Sequence, residues 1–161
     1  MNMKRILGIV SVMLVIMAVL LGGCGGSSAT SSQGQSSAAA AAAATKVKLS
    51  FEGGEAIAEL QDNPTSRSLI AQLPVTIQFK DFNETEKIAY TPATLSQEGA
   101  PKGFEPKAGD VAVFGPWGNV SVFYKSFRYS EGLIPMGHIT SGLDVLAKKQ
   151  GEFDVTLSVV E

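Results

Sequence analysis

From residue 46 to the end of the chain, apolar side chains recur at every second position in run after run, and this spacing constrains the fold more than any other feature. Val47, Leu49 and Phe51 alternate with Lys46, Lys48 and Ser50. Successive side chains of an extended strand point to opposite faces, so each such run buries one face and wets the other. Gly53-Gly54 supplies a tight turn into residues 55–60, which predicts an opening hairpin. Alternation resumes at 75–79 and 87–90, on either side of an acidic turn at 81–85. It returns at 110–114 and 120–124 around Gly115-Pro116-Trp117-Gly118-Asn119, and again at 152–160.

The period changes in two places. Asn63-Pro64 opens a segment with Leu69, Ile70 and Leu73 on one helical face. Asn63 can cap the free amides, and Pro64 takes the first helical position, where its missing donor costs nothing. Residues 142–149, with Leu143, Leu146 and Ala147 inward, predict a second short helix. Residues 91–108 hold three prolines and two glycines, too long a stretch for a passive turn, so they are expected to cover a surface or line a site. Residues 128–141 read as irregular. The fold class is therefore mostly β, with two short helices. Closing the strands into an antiparallel barrel would remove the edges that an open sheet must otherwise protect.

The first 45 residues have no such pattern. Residues 1–23 carry Lys4 and Arg5 and no acid, followed by 18 uncharged residues from 6 to 23 and four of the five methionines. A short basic segment before an apolar run is the layout of a secretory signal. The run ends in Leu21-Gly22-Gly23-Cys24, which resembles the bacterial lipobox, in which the cysteine is lipidated and becomes the new N-terminus. The alternative is an uncleaved helix, since a bilayer needs about 20 apolar residues. Small residues crowd the end of the run, however, and Cys24 is the sole cysteine, so an internal disulfide does not account for it. The expectation is a lipoprotein held at the cell envelope through Cys24, with its folded domain extracytoplasmic.

Residues 24–45 combine the lipidated cysteine with a Ser, Gly and Ala linker that includes seven consecutive alanines before Thr45 and contains no charged or aromatic side chain. Such a coil spans roughly 25 Å. Three parts follow: signal peptide 1–23, tether 24–45 and folded domain 46–161. Without Lys4 and Arg5 the chain has 11 basic residues against 15 acidic ones. A net charge of that sign argues against nucleic acid as a partner, because phosphate binding needs a basic face.

Several segments, in order, carry a family resemblance: Leu73-Pro74-Val75-Thr76-Ile77, Lys80-Asp81-Phe82-Asn83, Glu86-Lys87, Gly109-Asp110-Val111, Pro116-Trp117-Gly118-Asn119 and Phe123-Tyr124. Together they resemble the bacterial cyclophilin-like domain, and more narrowly small lipoproteins of that kind whose relatives associate with flavodoxin-type domains. The resemblance implies a closed antiparallel barrel with two helices, and a peptide, small-molecule or flavoprotein partner. Isomerases of the cyclophilin type use a guanidinium from a Phe-His-Arg segment to polarise a prolyl carbonyl, beside a Gln-Phe-Phe segment. Neither segment occurs here, and the folded part has only Arg67 and Arg128. The reading is a non-catalytic binding module, with a peptidyl-prolyl isomerase using nonstandard residues as the alternative.

Other chemistries find less support. His138 is the sole histidine, and Met136-Gly137-His138-Ile139 reads as a buried strand or turn edge rather than a catalytic elbow. No metal-ligand spacing is present, Asp81, Glu84 and Glu86 read as a solvated turn with a weak calcium site as the alternative, and no cofactor is expected. The candidate site is aromatic. Trp117 lies on a turn, where it serves either as a lid on the core or as a ligand contact. With Tyr90, Asn119, Tyr124 and Arg128 it is expected to border a groove between the Pro-Trp turn and residues 91–108.

Overall fold

The computed structural model describes residues 44–160. Cys24, the signal peptide and nearly all of the tether lie outside the described residues.

The opening alternation forms strands β1 (Thr45–Phe51) and β2 (Gly54–Leu60), paired in register from Thr45–Leu60 to Phe51–Gly54. Helix α1 (Pro64–Ile70) follows, with Asn63 Oδ1 accepting from the Ser66 amide at 2.8 Å and Pro64 in the first turn. Then come β3 (Val75–Phe82), β4 (Glu86–Tyr90), β5 (Gly103–Phe104), β6 (Asp110–Phe114), β7 (Asn119–Phe123), β8 (Ser130–Glu131) and β9 (Leu133–Ser141). Helix α2 (Leu143–Lys148) and β10 (Glu152–Val159) complete the chain. Eight strands close an antiparallel barrel in the order β1-β10-β3-β4-β7-β6-β9-β2, while β5 and β8 form a separate ribbon. The mostly β barrel with two short helices is the architecture read from the sequence. Among the described residues, no helix is long and apolar enough to cross a membrane.

The inward positions of every barrel strand meet in one core, which includes Val47, Leu60, Phe79, Val113, Val122, Met136 and Val155, each 2% exposed or less. Fully burying one such aliphatic or aromatic side chain contributes about 1.5–3 kcal/mol. Each helix adds a leucine, Leu69 from α1 and Leu146 from α2. Helix α1 follows the last residue of β2, whereas Val145 of α2 packs on Gly54 at the first residue of that strand. The helices therefore close opposite ends of the barrel.

Residues 128–141 are not irregular, as the sequence reading expected. They contain β9, the longest strand, whose register shifts twice: once against β6 between Val111 and Ala112, and once against β2 between Ile57 and Ala58. Met136 and Thr140 are the extra residues. The bulge at Met136 turns its carbonyl toward α1, where it accepts from the Gln61 amide (2.7 Å) and the Ser66 hydroxyl (3.1 Å). Two bulges and the internal Pro135 break the period-two signal, and this is why the strand is hidden in the sequence. Gly137 is required there, because a Cβ would lie 2.1 Å from the Glu59 carbonyl oxygen.

Residues 91–108 are irregular except for β5, and they close the α1 end of the barrel. Leu95 enters the core, and the Ser96 carbonyl accepts from the Thr65 hydroxyl at 2.6 Å.

Candidate functional site

Strand β7 reads Asn-Val-Ser-Val-Phe, and all five residues are buried. Val120 and Val122 face the barrel core, so Asn119, Ser121 and Phe123 point outward and are covered from outside. The cover is a second apolar cluster of Ala112, Phe123 and Leu133, packed against Phe104, Phe114 and Phe127. Registers of β7 against β4 and β6 put Glu86 opposite Phe123, Ile88 opposite Ser121, and Phe114 opposite Asn119. The outward side chains of four strands thus converge on one patch beneath the loop around Phe127.

A cleft of about 190 Å³ opens in that patch. Its walls are mainly apolar, with Phe82, Ile88, Phe114, Trp117, Phe123 and Leu133 prominent. Trp117 stands edge-on to Phe82 (5.6 Å between centroids, 89°) and to Phe114 (5.3 Å, 84°). It is 53% exposed and forms a wall of the cleft, so it is not a lid on the barrel core.

The polar side is built from Asn119, Ser121 and Glu86. Asn119 Nδ2 donates to Ser121 Oγ at 3.0 Å and to the Val120 carbonyl at 3.5 Å. The Ser121 hydroxyl donates to the Glu86 carboxylate, so its oxygen accepts from Asn119 Nδ2, and this orients the amide. Asn119 Oδ1 is then a buried acceptor with no partner, in a side chain that is 2% exposed. Leaving such a group unpaired costs about 1–3 kcal/mol. Burial pushes the Glu86 carboxyl above the usual carboxylate range, and a hydrogen bond with Ser121 offsets only part of that. Among the described residues no lysine, arginine or histidine lines this cleft.

Of the five groove residues expected from the sequence, the structure brings Trp117 and Asn119 to the cleft. Tyr90 borders a second groove with Thr91, Pro92, Pro116 and the other side of Trp117. That groove, about 320 Å³, lies where the sequence reading put its site, but it is more open and contains no buried unpaired group. Tyr124 lies elsewhere. Its hydroxyl donates to Asp81 Oδ2 at 2.8 Å, and the Lys87 ammonium sits 4.9 Å from its ring centroid. Arg128 stacks on Phe127, 5.1 Å from that ring's centroid, and does not line the cleft.

The acids read as one solvated turn separate between two faces. Phe82 pairs with Glu86 and Asp81 with Lys87, so Glu86 faces the cleft while Asp81 faces the α2 end of the barrel. There Asp81 Oδ2 pairs with the Lys87 ammonium, which is wholly buried and also donates to the Lys149 carbonyl at 2.6 Å. Desolvation raises the Asp81 pKa, but hydrogen bonds from Lys87 and Tyr124 outweigh it and hold the carboxyl below its usual range. Burial and the neighbouring Asp81 carboxylate raise the Tyr124 pKa. His138 lies on β9, between the buried Gly137 and Ile139 but itself exposed rather than buried as expected, with Nδ1 3.0 Å from Asp110 Oδ1.

Sequence reasoning missed Ser121, Phe82, Phe114 and Glu86 as cleft residues. A signal was present in β7, where the polar residues Asn119 and Ser121 alternate with valines.

The chain resembles a solved structure, the solution structure of a hypothetical protein from Archaeoglobus fulgidus, with 18% identity and a TM-score of 0.62. The match covers 73% of this chain and 96% of that one, and at this identity it speaks for the fold. No curated protein matches the chain. The profile of the cyclophilin-like family matches residues 49–158, which takes in all or part of every barrel strand. The chain belongs to the cyclophilin-like family.

Proposed function

We propose that this domain is a non-catalytic binding module that takes a small aromatic ligand, or an aromatic side chain of a peptide, into the cleft beside Trp117. The observation that carries this reading is the unpaired, buried Asn119 carbonyl in an aromatic-walled cleft. A few placed polar groups among apolar walls are the usual composition of a binding site. Arg128 at the Phe127 ring and Arg67, paired with Asp62, leave the cleft without the guanidinium that prolyl isomerisation calls for. The domain is held at the envelope by lipid on Cys24, and an accessory role toward a flavoprotein rests on the family resemblance.

Trp117 is the sole tryptophan, so its emission reports on this cleft. Titration of the protein with 2-phenylethanol is expected to change that emission saturably, with a Kd of about 1 mM or tighter, equivalent to about −4 kcal/mol. Ser130→Phe, which places a ring in the cleft, is expected to abolish the response. No saturable change, or full binding by Ser130→Phe, would overturn the reading. In a protease-coupled prolyl-peptide assay the protein is expected to show no turnover, and measurable turnover would favour the isomerase alternative.

A further inference from the structure

The polar groups of the cleft have one character. Glu86 is an acceptor when ionised, Asn119 Oδ1 is an acceptor without a donor, and the Ser121 hydroxyl is engaged between them. Among the described residues no ion pair joins Glu86 to a cation. Lys80 sits opposite Ile88 in the register, and its ammonium makes no ion pair with Glu86. A carboxylate taken partly out of water without a cation is costly, and so is an amide oxygen without a donor. A ligand that brings a positive charge and several N–H groups removes both costs. Phe82, Phe114 and Trp117 supply an apolar wall beside these acceptors, suited to a ring carried by the same ligand.

We propose that the cleft selects small organic cations, aryl-alkyl ammonium compounds whose ring lies among Phe82, Phe114 and Trp117 and whose ammonium is received by Glu86 and Asn119. The proposal rests on the cleft being a binding site, as above, and names the class of ligand. A carboxylate ligand meets Glu86 as a like charge, and a prolyl carbonyl finds no cationic donor. Charge thus separates this cleft from one built to polarise an amide.

Three probes of similar shape test the selection through Trp117 emission: 2-phenylethylamine, 2-phenylethanol and 3-phenylpropionate. The amine is expected to bind about tenfold more tightly than the alcohol, the difference between a charge-assisted and a neutral hydrogen bond. The carboxylate is expected to bind more weakly than either. In Glu86→Gln the amine is expected to fall to within about twofold of the alcohol measured on the same variant, and an unchanged circular dichroism spectrum shows that the fold is intact. Equal affinities for amine and alcohol, or an amine preference that survives Glu86→Gln, would overturn the selection and leave the binding site standing. Absence of any response to amine and alcohol alike would overturn both.

Discussion

Removing the Asp81 carboxylate tests how the α2 end of the barrel is held together. Lys87 is wholly buried, and its ammonium has three neighbours: the Asp81 carboxylate, the Lys149 carbonyl oxygen and the Tyr124 ring. Asp81→Ala leaves the cation with a carbonyl and an aromatic face but no anion. Removing one partner of a buried pair costs about 3–5 kcal/mol. The Asp81 side chain is 26% exposed, so water can partly replace it, and the expected loss is near the lower end, about 3 kcal/mol. In a domain of this size that corresponds to a fall in Tm of roughly 10 °C. Lys87→Met, by contrast, keeps the apolar stem and leaves Asp81 bonded to the Tyr124 hydroxyl and the Glu84 amide, at a cost of about 1 kcal/mol. The double variant is expected to cost about 2 kcal/mol less than the sum of the two. Urea unfolding of the four proteins measures the cycle. Additivity within about 0.5 kcal/mol, or an Asp81→Ala variant no less stable than Lys87→Met, would refute the reasoning.

Three further outcomes follow from the same structure. Because folding holds the Asp81 pKa below its unfolded value, its contribution is present above about pH 4 and is lost as pH falls through the folded value; Asp81→Ala should therefore lose less stability than the parent between pH 4 and pH 2, as followed by thermal melts. Folding raises the Glu86 pKa, so its cost to stability is absent below the unfolded value and grows as pH rises through the folded one; Glu86→Gln should raise the Tm at pH 7 and show no gain at pH 3, and a uniform gain would contradict this. Gly137→Ala should cost about 2–3 kcal/mol in urea unfolding, because its Cβ meets the Glu59 carbonyl across the β2–β9 ladder. For the envelope proposal, Cys24→Ser should release the protein from membranes or leave an unprocessed precursor on fractionation, whereas normal maturation and attachment would favour an apolar helical anchor.

Where a strand keeps its period, the sequence states its fate. Val47, Leu49 and Phe51 point inward as their spacing requires, and the capped Asn63-Pro64 start marks α1. Strand β9 was hidden because Met136 and Thr140 each shift the pairing by one residue, and a bulge looks like a loss of pattern in a single chain. The site was half legible for a related reason. Trp117 and Asn119 stand out as a turn aromatic and its neighbour. Glu86, however, gains its meaning from its cross-strand neighbours, which put Phe82 and Phe123 beside it. Tyr124 and Arg128 were grouped with Trp117 by residue type, but strand alternation sends Tyr124 to the face that holds Asp81 and Lys87, opposite to Phe123. No local pattern distinguishes an outward strand face that meets water from one roofed by a loop forty residues away.

Ligand binding in the cleft beside Trp117, through Asn119 and Glu86, can be followed residue by residue by adding 2-phenylethylamine to isotopically labelled protein and recording its NMR resonances. The Asn119 side-chain amide, the Trp117 indole and the backbone amides of Ser121 and Phe123 are expected to shift together and saturate. Shifts confined to Tyr90 and Thr91, or to Tyr124 and Thr140, with the Asn119 and Trp117 signals unmoved, would contradict it.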